Sequence, residues 1–246
     1  MELLEFLAET QQNIREESLS KETEFGEGMA FPELIFTEIV ANHMLDVGMT
    51  FQPVICHVDA TVGNYKLKLS GYAISDDADQ LDLYVSLYKN VDEITRLPDS
   101  ETIKAATFCS RFLENAVQGK LSNVMDESHE AYPLVLTIEQ LYENLDQIRI
   151  YVLTDCQTKS KQFKAKEIKG KTIRLEVMDI ERLYNHTSAG KPRDELVVNF
   201  EDASGAALPC VWVPNQTGDY DYGLTAIPGE TLRFLYDKYG PRILEA

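Results

Sequence analysis

The sequence has no apolar run near the roughly 18 residues that a membrane-spanning helix needs. Its first ten residues, MELLEFLAET, carry acidic side chains and no basic segment followed by an apolar stretch, so they do not predict a secretory signal peptide. These two absences predict a cytoplasmic protein that does not work with a membrane.

Cysteine is sparse and widely spaced. The four cysteines are Cys56, Cys109, Cys156 and Cys210. No two of them show the short C-x-x-C spacing of a zinc knuckle or a redox motif, and we expect no metal site. Each lies in an apolar run, which predicts buried, reduced thiols. Glycine-rich phosphate loops and the G-x-S-x-G elbow of hydrolases are absent as well.

Positive charge is also scarce, with 23 Lys and Arg against 41 Asp and Glu, a formal net charge of -18. Such a chain repels phosphate backbones at long range and lacks a general nucleic-acid footprint. One basic cluster covers 13 positions and consists of Lys159, Lys161, Lys164, Lys166, Lys169 and Lys171. It fits a solvated hairpin rim, or a phosphate-contacting loop in which Lys159, Lys161, Lys164 and Lys166 bind nucleic acid.

What the sequence does contain is the composition of a globular protein, with 246 residues of which 44% are hydrophobic. Helical spacing covers residues 2–18, before a polar connector at 19–29, and returns from Pro32 to a C-capping Gly48. Later helices are predicted at about 100–118, 134–147 and 179–186. Strands are predicted at 51–61, 64–75, 80–90, 148–155 and 172–178.

Beyond residue 190 the pattern changes to short strands. Residues 194–202 and 206–214 are predicted to form a hairpin that turns at 203–205, and a final helix follows Pro228-Gly229. The chain stops soon after a new apolar run, Arg242-Ile243-Leu244, has begun. We therefore expect it to be the N-terminal part of a longer protein, with the C-terminal region as its partner.

Helices that alternate with strands predict an α/β (α+β) fold. We expect a central mixed β-sheet flanked by helices, with a smaller β-rich C-terminal part packed on it. The predicted parts are an N-terminal helix and connector at 1–30, an α/β core at 31–156 and a β-rich continuation at 157–246.

Four segments resemble the N-terminal domain of the abortive infection phage resistance (AIPR) proteins of bacteria. They are FTEIVANHMLDVG at 36–48, KLSGYAISDDADQLDLYVSLY at 68–88, VMDIERLYN at 177–185 and IPGETLRFLYDKYGPRILE at 227–245. The resemblance spans about residues 30–246, and the last segment is the most specific. It implies a host-defence protein that acts inside bacterial cells and meets a phage or host protein, or nucleic acid.

The block at 32–118 also resembles the core of restriction-endonuclease-like nucleases. In those enzymes an acid on the first helix, an Asp on one strand and a Glu-x-Lys on the next hold Mg²⁺ and activate water. Glu38 matches the helix acid here, but Ser70 stands in place of the Asp, and Ser86 and Tyr88 stand at the solvent-facing positions of Glu and Lys. Hydroxyl groups are poor ligands for a hard dication, so the resemblance implies a degenerate site.

Three functions remain open on these grounds. The first is a non-catalytic module for recognition or assembly. The second is an active Mg²⁺-dependent nuclease with rearranged ligands, for which Glu38, Asp82 and Lys89 are the candidates. The third is a protein-interaction scaffold without nuclease ancestry.

Overall fold

The computed structural model describes residues 2–25, 32–188, 200, 205–213 and 222–239. The chain forms two compact units, Met1–Pro192 and Arg193–Ala246. Helices of the first unit are α1 (Leu3–Phe25), α2 (Pro32–Asp46), α3 (Asp99–Val117), α4 (Tyr132–Leu141) and α5 (Ile180–Ser188). Its strands are β1 (Pro53–Val62), β2 (Tyr65–Ile74), β3 (Gln80–Leu87), β4 (Arg96–Leu97), β5 (Gln147–Thr154), β6 (Gln157–Thr158), β7 (Gln162–Ile168) and β8 (Lys171–Met178).

Six of these strands form one mixed sheet in the order β1-β2-β3-β5-β8-β7. The centre, β3-β5-β8, is parallel, and antiparallel hairpins complete it on both sides. The two outermost pairs carry register shifts, between Ile55 and Val58 in β1 and between Phe163 and Lys166 in β7. The predicted central mixed sheet flanked by helices is confirmed.

Helices cover both faces of the sheet. Apolar side chains of α3 and α4 pack on Leu81, Leu83 and Val85 of β3 and on the matching residues of β5. On the opposite face, α1, α2 and α5 pack around Tyr84 and Tyr151. This layering explains an error in the sequence analysis.

The positions of β3 that the alternation placed toward solvent are buried instead. Asp82, Tyr84 and Ser86 each have 0% of their surface exposed. In the sequence these polar groups resemble a solvated strand face. They can be buried beneath the helices because each of them has a hydrogen-bond partner. Parallel strands in the middle of a sheet are normally covered on both faces.

The end of α2 follows its local sequence signal. Gly48 has φ +73°, and the N–H groups of Gly48 and Met49 donate to the carbonyls of Leu45 and Met44, so the predicted glycine cap is confirmed. Helix α1, in contrast, continues past the predicted end at residue 18 to Phe25. Residues 19–25 contain neither Gly nor Pro, and their Lys and Glu are good helix formers.

In the second unit, β9 (Cys210–Val213) pairs antiparallel with β10 (Tyr222–Thr225), and α6 (Gly229–Tyr239) follows. The predicted partner of β9, residues 194–202, lies outside the described residues except for Phe200. The apolar run Arg242-Ile243-Leu244 also lies outside them. Cys56, Cys109 and Cys156 are buried as expected, but Cys210 is exposed, because it lies on a two-stranded sheet whose Val211 and Trp212 are exposed too.

Candidate functional site

Hydroxyl groups meet where α2 crosses β2 and β3. Ser86 Oγ lies 2.6 Å from Thr37 Oγ1, and the Ser86 N–H donates to Ser70 Oγ at 3.0 Å. Thr37 donates its own proton to the Glu33 carbonyl at 2.6 Å, so the proton between the two hydroxyls comes from Ser86. Ser70 is 2% exposed, and Thr37 and Ser86 are fully buried. We call these three side chains the hydroxyl cluster.

The backbone beside this cluster is equally close-packed. A Cβ atom on Gly71 would lie 2.9 Å from the Val54 carbonyl oxygen, closer than a side chain tolerates. Glycine therefore lets β1 and β2 approach at this point. The surroundings of Ser70 contain hydroxyls and backbone, and no carboxylate is bonded to the cluster among the described residues.

Glu38, the candidate helix acid, is half-buried on α2. Its neighbour Thr37 is the residue of α2 that hydrogen bonds to Ser86. Side chains of adjacent helical residues point about 100° apart, so Glu38 does not share the direction of Thr37.

Asp82 lies near the start of β3 and is held by a cation. Arg149 on β5 donates to both carboxylate oxygens, at 2.7 and 2.8 Å, and also to the Met49 carbonyl at 3.1 Å. Thr50 adds a hydrogen bond to Oδ2 at 2.6 Å. Burial raises the pKa of Asp82, and the hydrogen bonds and charge of Arg149 lower it again in part. Burial lowers the pKa of Arg149, but the hydrogen bonds to Asp82 and the charge interactions with Tyr151, Asp82 and Glu176 together outweigh it, and the pKa lies above its ordinary value.

Tyr88 and Lys89 lie at the opposite end of β3 from Asp82. The Tyr88 ring stacks on Phe36 with centroids 5.2 Å apart, and its hydroxyl donates to Gln11 Oε1 at 2.5 Å. Lys89 Nζ pairs with Glu101 at 2.9 Å near the surface. The structure thus does not bring Glu38, Asp82 and Lys89 together. Asp82 and Lys89 lie at opposite ends of β3, where Asp82 pairs with Arg149 and Lys89 pairs with Glu101.

The basic cluster forms the β7–β8 hairpin and the loop before it. Lys161 Nζ bonds to Asp179, which is fully buried, and to Glu181 at 3.2 Å, while Lys166 pairs with Glu114 at 3.8 Å. Lys169 and Lys171 donate to main-chain carbonyls. Lys159 and Lys164 have no carboxylate within ion-pair distance among the described residues.

Two further buried carboxylates lie at the carboxyl ends of the parallel strands. Asp179 follows β8 and accepts the Arg182 N–H at 2.9 Å, which caps α5, and its second oxygen accepts from Thr158 and Lys161. Asp155 follows β5 and accepts the N–H groups of Lys89 at 2.8 Å and Val91 at 3.2 Å. All oxygens of both side chains are therefore occupied.

Aromatic and basic side chains alternate at one place that the sequence did not reveal. The Arg111 guanidinium lies 5.1 Å from the Tyr65 ring centroid and 5.8 Å from that of Phe108. Lys104 lies over the other side of this strip, 5.8 Å from Phe108. These contacts attach the β1–β2 hairpin to α3. Phe108 is accordingly only half-buried.

Within the described ranges, no group of three or more His, Cys, Asp or Glu side chains is placed to bind a metal ion. The hydroxyl cluster does not suit Mg²⁺ either, because its oxygens already bond to one another and a hard dication prefers carboxylates. No helix in the described part of the chain is both long and apolar enough to span a membrane.

Comparison with known proteins gave one match. The family model for the abortive infection phage resistance protein N-terminal domain matches residues 36–185. The chain belongs to this family. The match covers α2 to the middle of α5, so the AIPR domain includes the six-stranded sheet, while α1 and the segment 227–245 lie outside it. The comparison with curated proteins and the comparison with solved structures each found no match.

Proposed function

We propose that this AIPR domain is a recognition or assembly module of a bacterial phage-defence protein, in which a nuclease-like site has lost its chemistry. It would act inside the cell together with the C-terminal region of the same protein. A phage or host protein or a nucleic acid would be its partner.

The hydroxyl cluster is the observation that carries this proposal. An endonuclease-like centre needs acids that converge on an ion and a lysine that faces the water to be activated. At the corresponding strand positions this chain has Ser70, which accepts the Ser86 N–H, and Ser86, whose hydroxyl bonds to Thr37, in a buried, close-packed region. The nearby acid, Asp82, is neutralised by Arg149.

Charge supports recognition of a protein rather than of a long nucleic acid. With a net charge of -18, the molecule repels a polyanion, and two lysines of the basic cluster are bound by Asp179, Glu181 and Glu114. A nucleic-acid contact through Lys159 and Lys164 would therefore be local.

A plasmid-nicking assay with Mg²⁺ or Mn²⁺ tests the proposal. Wild-type protein should nick no faster than the buffer does. The variants Glu38→Gln and Asp82→Asn keep the shape of each side chain, and Glu127→Gln changes an exposed acid as a control. Metal-dependent nicking that persists in Glu127→Gln and is lost in the other two would establish the rearranged nuclease instead.

A second experiment uses the complete defence protein in phage-infected cells. If this module does not catalyse, Glu38→Gln should protect cells as well as wild type does at equal protein abundance. Loss of protection without loss of protein would contradict the proposal. Lysine substitutions at 159 and 164 that abolish protection would point to nucleic acid as the partner.

A further inference from the structure

The N-terminal helix α1 has an unusual position relative to the sheet. It packs by one narrow face, on which Phe6, Leu7, Thr10, Gln11 and Ile14 are buried, and most other side chains between residues 3 and 20 are exposed. The family match begins at residue 36, so α1 is attached to the AIPR domain from outside its matched region.

Gln11 carries the polar contact between α1 and the sheet, and it is 2% exposed. Its Nε2 donates to Asp155 Oδ2 at 2.9 Å and to the Val91 carbonyl at 3.1 Å. Its Oε1 accepts the Tyr88 hydroxyl at 2.5 Å. The nitrogen and the oxygen of the Gln11 amide are thus both hydrogen-bonded at this end of the sheet.

That place is where open α/β sheets usually bind ligands. β3 and β5 are parallel neighbours, and Tyr88 and Asp155 are the residues directly after their carboxyl ends. Ligands of such sheets bind in the crevice outside the carboxyl ends of the strands. Here a side chain from the appended helix occupies the crevice.

The frame of the crevice does not need α1. Asp155 keeps its bonds from the Lys89 and Val91 N–H groups when Gln11 is removed, and Tyr88 keeps its stacking on Phe36 and a bond to Asn90 at 3.1 Å. A second polar contact of α1, the pair Arg15–Asp92, has side chains that are 57% and 80% exposed. Such an exposed pair holds a helix weakly.

We propose that α1 is a lid that closes this strand-end crevice and opens without unfolding the sheet. Opening exposes the Asp155 carboxylate and the Tyr88 hydroxyl while β3 and β5 stay intact. The inference does not depend on the proposed function, because it concerns the opposite end of β3 from Asp82 and makes no use of the hydroxyl cluster.

Native-state hydrogen exchange of the whole chain tests the lid. In wild type, amides of α1 should exchange with a lower opening free energy and a weaker denaturant dependence than amides of β5, which should exchange only by global unfolding. Gln11→Leu should speed exchange in α1 by roughly tenfold or more, since it removes three buried hydrogen bonds, and α1 amides should still open more easily than β5 amides.

Two further variants make the result decisive. Tyr88→Phe removes the donor on the sheet side, and it should also speed α1 exchange. Gln12→Leu is the matched control, because Gln12 lies on the exposed side and bonds only to Glu16 within the helix. If α1 and β5 amides share the same opening free energy and the same denaturant dependence in wild type, or if Gln12→Leu has the same effect as Gln11→Leu, α1 is an integral part of the fold and the lid is excluded.

Discussion

The two ends of the β3–β5 pair each bury a carboxylate, and they do so by different means. At the start, Asp82 is neutralised by Arg149 from the adjacent strand. At the far end, Asp155 binds backbone N–H groups of the loop after β3 and the amide of Gln11 on α1. The first end is closed by the sheet itself, whereas the second is closed by an appended helix. A charge pair fixes one end, and a neutral side chain that can leave covers the other.

The largest expected effect comes from breaking the charge pair. Arg149→Met leaves Asp82 buried without its counter-ion, which should cost about 3–5 kcal/mol in the free energy of unfolding. Urea denaturation measures this loss. The double variant Asp82→Leu with Arg149→Met removes both charges and should recover most of the stability. A loss below about 1 kcal/mol in Arg149→Met would show that the pair is not the means by which this end is closed.

Removing the carboxylate at the other end should have a smaller effect. Asp155→Ala leaves the Lys89 and Val91 N–H groups without their acceptor, at a cost of about 2–3 kcal/mol. Asp155→Asn keeps one acceptor oxygen and should lose less in the same urea experiment. A larger loss in Asp155→Ala than in Arg149→Met would show that the Asp155 end contributes more to the free energy of unfolding than the Asp82 end does.

The pH dependence at the far end comes from Tyr88. Burial raises the pKa of Tyr88 from the ordinary 10.0 to about 12. Because the fold favours the neutral phenol, this contribution to stability is fully present below about pH 10 and is lost as the pH rises through about 12. Unfolding measured across this range should show a smaller loss in Tyr88→Phe than in wild type. Equal losses would assign the effect to other tyrosines.

The smallest effect is expected for Lys89→Ala. Its pair with Glu101 has side chains that are 42% and 44% exposed, so the loss should be about 0.2–1 kcal/mol and should shrink in high salt. Thermal unfolding at low and high ionic strength measures it. A loss as large as that of Asp155→Ala would mean that the Lys89 side chain takes part in closing the far end.

Sequence reasoning reached the fold because the relevant signals are local. The helix at 32–46 has its glycine cap two residues after it ends, and the strands of the sheet show apolar residues at regular spacing. The position of β3 in the middle of the sheet is not a local property. Its alternation therefore predicted a strand correctly and a solvent-facing side incorrectly.

The candidate site was harder to predict from the sequence for the same reason, because its contacts are not local. Gln11 and Asp155 are 144 positions apart, and Asp155 and Val91 are 64 apart. Nothing near Asp155 in the sequence distinguishes it from an acid in a surface turn. The serines at 70 and 86 could be found because they depart from the spacing of acids that restriction-endonuclease-like enzymes show along two neighbouring strands, but the bond of Ser86 to Thr37 depends on how α2 crosses the sheet.

The register shifts in the two outermost strand pairs bear on how such a module can assemble. A flat, regular outer strand can pair through its free N–H and C=O groups with a strand from another molecule. A bulge or a lysine on that strand disfavours such pairing. The sheet has a bulge next to each border, and β7 carries Lys164 and Lys166 as well. Other chains should therefore join this protein through its helices or side chains, and extension of the sheet from molecule to molecule is disfavoured.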